Sequence, residues 1–125
     1  MPAEDRKRMV DFYTAAFGWE ANQLGKEFGD YVMVMTAESD KKGPKKPGAI
    51  NGGFFPKTKD NQHPSIVIGV GDIQQAMKDV AAAGGKILGG AYKAGEPDDI
   101  PGVGLYSSFI DTEGNRVGML QPKDE

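Results

Sequence analysis

The chain has 125 residues, the usual size of one domain, and no cysteine, which excludes disulfides, thiolate-bound zinc and thiol catalysis and fits a reducing cytoplasm. A net charge of −3 without an arginine-rich face argues against a nucleic-acid partner. No apolar run approaches the ~20 residues of a membrane span, and the charged N-terminus leads into no apolar stretch that would make it a signal peptide.

Met9, Phe12, Tyr13, Ala16 and Phe17 recur at i, i+3, i+4, i+7 and i+8, which predicts an amphipathic helix. Asp5 can cap its start, and Gly18 can end it in a left-handed conformation. Strand signals follow at Tyr31 to Met35, then a basic turn, Lys41 to Lys46, then Ala49 to Phe55 with paired glycines. Ser65 to Val70 is the next strand, with Ile66, Ile68 and Val70 expected to face a helix and Ser65, Val67 and Gly69 the opposite side. A second helix starts after Asp72, carries the stripe Ile73, Ala76, Met77 and Val80, and stops at Gly84-Gly85. Lys86 to Ala91 is a weak strand, Leu105 to Ile110 a stronger one. Asp111-Thr112-Glu113-Gly114-Asn115 is a turn before the last strand, Arg116 to Gln121.

These elements repeat. Asp5 and Asp72 each precede a helix that ends at glycine, 67 residues apart (72 − 5). Gly48 and Gly114, and Pro56 and Pro122, stand 66 apart. The second unit opens with a strand before its helix; the counterpart in the first would fall at about −2 to 3, so either the chain extends further upstream or that unit does without its opening strand, which would leave an edge unpaired. The organisation read from the sequence is therefore α+β, one domain over 1–125 made of two βαβββ modules, 1–60 and 62–122, the first incomplete at its N-terminus.

Several residues invite a chemical role. His63, the only histidine, precedes Pro64 and reads as an exposed loop residue, since one imidazole seldom holds a metal. Glycine inside a strand costs stability, so Gly52, Gly53, Gly69 and Gly118 leave room either for a ligand or for tight sheet packing. The repeat makes Gly52 and Gly118 equivalent, with Ile50 and Phe54 flanking the first and Arg116 and Leu120 the second. Arg116 is either a partner for a ligand carboxylate or phosphate or a solvated arginine at a strand start. Tyr31, Met33, Met35, Tyr106, Ser108 and Met119 either line an adaptable apolar pocket or fill ordinary core. Trp19 is expected to pack at the end of the first helix. Glu96, Asp98 and Asp99, in the loop Tyr92 to Gly104, read as solvated.

The segments Asp11-Phe12-Tyr13…Phe17-Gly18-Trp19, Val70-Gly71-Asp72-Ile73…Gly84-Gly85-Lys86, Ile100-Pro101-Gly102-Val103-Gly104 and Asp111-Thr112-Glu113-Gly114-Asn115-Arg116-Val117-Gly118 resemble, in order and spacing, the glyoxalase/bleomycin-resistance/dioxygenase (vicinal oxygen chelate) superfamily, in particular small bacterial proteins related to lactoylglutathione lyase. The resemblance implies two modules curled into a cup around a pocket, commonly in a homodimer. Catalytic members hold a divalent metal through His, Gln and Glu at four strand positions. Carried over, these fall upstream of Met1 and on Gly52, Ser65 and Gly118; a one-residue slip gives Asn51 or Gly53 and Val117 or Met119. None supplies an imidazole or a carboxylate. The expectation is a metal-free pocket for a small molecule, without a nucleic-acid or membrane partner, lined by Tyr31, Met33, Gly52, Phe54, Ser65, Val67, Tyr106, Arg116, Gly118 and Leu120. A divalent-metal-dependent lyase, isomerase or dioxygenase is the alternative, and a subunit that mainly pairs with another protein is a third reading.

Overall fold

Asp5 and Gly18 bracket the first helix as their chemistry dictates. In the computed structural model, which describes residues 1–26, 30–40 and 43–123, helix α1 runs Arg6–Phe17. The Asp5 carboxylate accepts from the Arg8 amide at 2.9 Å, and Gly18 closes the helix at φ 71°. Among the described residues the architecture is α+β, with two helices, two mixed sheets of four and five strands and a two-stranded hairpin, and the chain divides into two units, Met1–Pro64 and Ser65–Glu125.

In the first unit, β1 (Pro2–Ala3) precedes α1, and β2 (Glu20–Gln23), β3 (Val32–Met35), the hairpin β4 (Ser39–Asp40) and β5 (Gly43–Pro44), and β6 (Gly52–Pro56) follow it. The sheet order is β1-β6-β3-β2, with β1 parallel to β6 and the other pairs antiparallel. The opening strand of the first unit is two residues long and is registered against Phe55 and Pro56 of β6, with the Met1 ammonium donating to the Gly53 carbonyl beside it at 2.6 Å. Lys41 and Lys42 of the basic turn lie outside the described residues. Lys45 is exposed and pairs with Glu38 at 3.1 Å, a surface contact worth well under about 1 kcal/mol.

The second unit repeats this plan. Strand β7 (Val67–Gly69), helix α2 (Ile73–Ala82), β8 (Lys86–Gly89), β9 (Asp98–Ile100), β10 (Gly104–Ile110) and β11 (Arg116–Pro122) form the order β7-β11-β10-β8, with β9 added along β10 and β7 parallel to β11. Asp72 caps α2 through the Gln75 amide at 3.1 Å. Before β11, Asp111 accepts from the amides of Glu113 and Asn115 and from the Asn115 side chain. The Asn115 bonds do most to hold its carboxyl below the usual 3.8.

Each helix covers one face of its own sheet. Under α2, Ile73, Met77, Phe109 and Met119 are buried, with Ala76, Val80, Val70 and Val117 packed against them. Full burial of Ile73 alone is worth about 1.5–3 kcal/mol. Under α1, Val32, Val34 and Phe54 are buried against Met9, Val10, Tyr13 and Trp19. Trp19 stacks on Tyr13 at 4.7 Å, as expected of a residue packing at the helix end.

Three expectations about faces are corrected. Phe12 and Phe17 belong to the predicted α1 stripe but are 58% and 64% exposed, because the helix contacts its sheet along Met9, Val10 and Tyr13. Of the three residues assigned to the helix side of β7, only Val70 packs there. Ile68 lies opposite buried Met119 yet stays 44% exposed on an edge strand, and Ile66, 64% exposed, precedes the strand. Asp98 is not solvated: it is buried in β9, where its two oxygens accept from the Ala91 and Tyr92 amides at 2.7 and 3.3 Å. Glu96 and Asp99 are exposed as expected, as is His63. Among the described residues no helix is long and apolar enough to cross a membrane.

Candidate functional site

Strand alternation gives each sheet a second face, away from its own helix. In the second unit this open face carries Arg116, Gly118 and Leu120 from β11, opposite Ile110, Ser108 and Tyr106 of β10, with Val67 and Gly69 of β7 alongside Gly118 and Leu120. Of the sequence candidates, Val67, Tyr106, Arg116, Gly118 and Leu120 therefore share one surface. Ser65 is exposed and precedes β7, outside the strand predicted for it.

The first unit differs from expectation by one residue. Val32 and Val34 face α1, and they pair with Phe54 and Gly52; Met33 on the open face pairs with Gly53. Phe54, only 1% exposed and 5.5 Å from the Tyr13 ring, is core and not a pocket wall, and Gly52 lies on its side of the sheet. Tyr31 and Met33, half-buried, do lie on the open face, and Gly53 and Phe55 take the places expected of Gly52 and Phe54. The cause is the count from turn to strand: Gly53 lies five residues after Gly48 (53 − 48), Gly118 four after Gly114 (118 − 114). The extra residue places Asn51, whose carboxamide accepts from the Thr36 amide and donates to Ser39 Oγ, before the strand begins.

With that register both units show the same device. A Cβ on Gly53 would overlap the phenol of Tyr31, and a Cβ on Gly118 would lie 2.9 Å from Cε2 and Oη of Tyr106. In each unit a tyrosine side chain, Tyr31 just before β3 or Tyr106 in β10, occupies the space beside a glycine of the last strand. The space at Gly118 thus belongs to a protein side chain, whereas a Cβ on Gly52 would meet nothing within 4 Å.

Burial raises the Tyr106 phenol above its ordinary 10.0; the nearby Arg116 guanidinium opposes this and Asp98 adds to it. The neutral phenol is thus favoured in the folded state. The stability this contributes is complete below pH 10.0 and is lost as pH rises through the folded value. Tyr106→Phe is expected to lose less stability than the wild type on alkaline titration, measured by urea unfolding on either side of pH 10; identical slopes would contradict this assignment.

A divalent metal is not matched by these residues. Among the described residues no three His, Cys, Asp or Glu side chains approach one another closely enough to hold an ion. Gly118 and Gly53 offer no side-chain donor, and Ser65 offers only an exposed hydroxyl. A surface cleft of about 410 Å³ lies elsewhere, between β1 and the start of α1, where Pro2, Ala3, Met9 and Phe12 meet Arg8 and Lys57; it contains none of the candidate residues.

Compared with known proteins, residues 1–119 match the model of the Glyoxalase/Bleomycin resistance protein/Dioxygenase superfamily. No curated protein sequence matches. Among solved structures, the chain is similar to TnmS3, an antibiotic binding protein from a Streptomyces species, with 20% identity over 98% of this chain and 91% of that one and a TM-score of 0.38. A member of the same superfamily from Sphaerobacter thermophilus is 20% identical over 97% and 91%, with a TM-score of 0.36. A protein described as a NAD-dependent benzaldehyde dehydrogenase from Legionella pneumophila is 9% identical over 98% and 95%, with a TM-score of 0.57, a likeness of fold alone.

Proposed function

We infer that this chain, which belongs to the Glyoxalase/Bleomycin resistance protein/Dioxygenase superfamily, binds a small molecule on the open faces of its sheets without a metal. The carrying observation is the open face of the second unit, where Val67, Leu120 and Ile110 surround Tyr106 and Arg116 on a surface its own helix leaves uncovered. Such a surface, mostly apolar with few polar groups, suits a small organic ligand. The donor-poor family positions support metal independence. We place the protein in the cytoplasm as a homodimer, in keeping with the absence of cysteine and with the family resemblance.

A thermal-shift screen of small aromatic and aliphatic metabolites in EDTA tests this. The expected result is a compound that raises the unfolding midpoint in a concentration-dependent way, as binding to the native state alone requires. A shift abolished by EDTA and restored by a divalent metal would instead favour a metal-dependent enzyme.

A further inference from the structure

We propose that Tyr106 and Arg116 form a carboxylate-binding pair on the open face of the second unit, taking the polar end of a ligand whose apolar body rests on Val67, Ile110 and Leu120. This rests on the small-molecule function above and adds the ligand's chemical class.

The pairing begins with Gly118. Tyr106 lies opposite Leu120, and Gly118 and Arg116 follow on the same face of β11, opposite Ser108 and Ile110. Because Gly118 has no side chain, the Tyr106 ring can lie back across it; a Cβ there would come within 2.9 Å of Oη. The ring's lean carries the hydroxyl from its own register position toward the Arg116 end of the strand. The guanidinium charge opposes the rise that burial imposes on the phenol.

Both are donors awaiting an acceptor. Among the described residues the Tyr106 hydroxyl makes no hydrogen bond and Arg116 no ion pair. The carboxylate opposite Tyr106 on the other side is Asp98, and it is already engaged: both of its oxygens accept backbone amides. Burial keeps the phenol protonated, so it donates, and the guanidinium presents a planar fork that matches two carboxylate oxygens. A neutral ligand would leave the guanidinium unmatched. The apolar neighbours suit the hydrocarbon body of a monoanion better than a highly hydrated multivalent anion.

The test is an amide-resolved NMR titration of the full chain with matched pairs, 4-phenylbutyrate against 4-phenylbutyramide and hexanoate against hexanamide. Wild type, Arg116→Gln and Tyr106→Phe are compared, with EDTA present throughout. Wild type is expected to bind each carboxylate about tenfold more tightly than its amide, as one charge-assisted contact on a partly exposed face allows. Arg116→Gln should reduce that preference to about twofold or less with its unfolding midpoint unchanged, because the side chain is exposed. Tyr106→Phe should reduce it by a smaller factor. Equal affinity for acid and amide, or a preference that survives Arg116→Gln, overturns the carboxylate assignment while leaving small-molecule binding in place. No shift from any of the four probes overturns both.

Discussion

Phe54→Ala is expected to lower the unfolding free energy by about 3–5 kcal/mol, the usual cost of emptying a phenylalanine site in a packed core. Phe54 is fully enclosed between the sheet and α1, with Val32 and Val34 beside it and the Tyr13 ring 5.5 Å away. Its neighbours are held by backbone pairing in β3 and by the helix, so the cavity cannot close cheaply. Trp19, the only tryptophan, stacks on Tyr13 and therefore reports on this cluster. Urea unfolding followed by Trp19 fluorescence should show the loss as an earlier midpoint with little change in slope. The same experiment tests the one-residue register of β6: were Phe54 a pocket wall on the open face, its truncation would cost well under about 1.5 kcal/mol.

Gly104→Ala should cost about 3 kcal/mol or more, and Gly102→Ala, two residues away, only about 1–2 kcal/mol. Both glycines have positive φ, 143° and 76°, so both variants carry backbone strain. Only Gly104 is also wedged. It is buried where β10 pairs with Ile100 on one side and Pro122 on the other, and a Cβ there would overlap the Gln121 carbonyl and lie 3.1 Å from the Lys123 amide. Both are backbone atoms, the first in a paired strand and the second hydrogen-bonded to the Val103 carbonyl, and cannot swing aside as a side chain can. Gly102 has nothing within 4 Å of the added atom. Circular dichroism melts of the two variants would separate strain from overlap; equal losses would place Gly104 in a looser environment than the one described.

Much of this fold could be read from the sequence because its signals are local. The caps Asp5 and Asp72, the helix-ending glycines and the Asp111 turn each act through residues a few positions away, and each forms as its chemistry requires. The two-unit plan followed from their spacing, and the sheet orders of the two units agree strand for strand. The edge strands were harder. Strand β2, Glu20-Ala21-Asn22-Gln23, is exposed at every residue and held by backbone pairing to β3, so it leaves no apolar alternation to detect. Strand β9 is short and acidic, and burial of Asp98 depends on amides from Ala91 and Tyr92 across the loop.

The candidate site was legible on one side only. In the second unit alternation put Arg116, Gly118 and Leu120 on one face of β11, and the pairing with β10 adds Tyr106 to it. In the first unit one additional residue ahead of β6 inverted the assignment, as a single-residue slip must in a structure of period two. It sent Phe54 to the core and brought Gly53 under Tyr31. The tyrosine beside a glycine, the feature the two units share most closely, depends on a cross-strand diagonal that no linear spacing encodes.

Metal content after loading tests metal-independent binding most directly. The purified chain would be incubated with nickel, zinc, manganese and cobalt, desalted, and measured by inductively coupled plasma mass spectrometry. Retention far below one ion per chain, in protein that still gives a ligand-dependent thermal shift, is the predicted result. Near-stoichiometric metal would contradict it, showing that the chain holds an ion despite the lack of donors at Gly53, Ser65 and Gly118, and would bring metal-dependent chemistry to the fore.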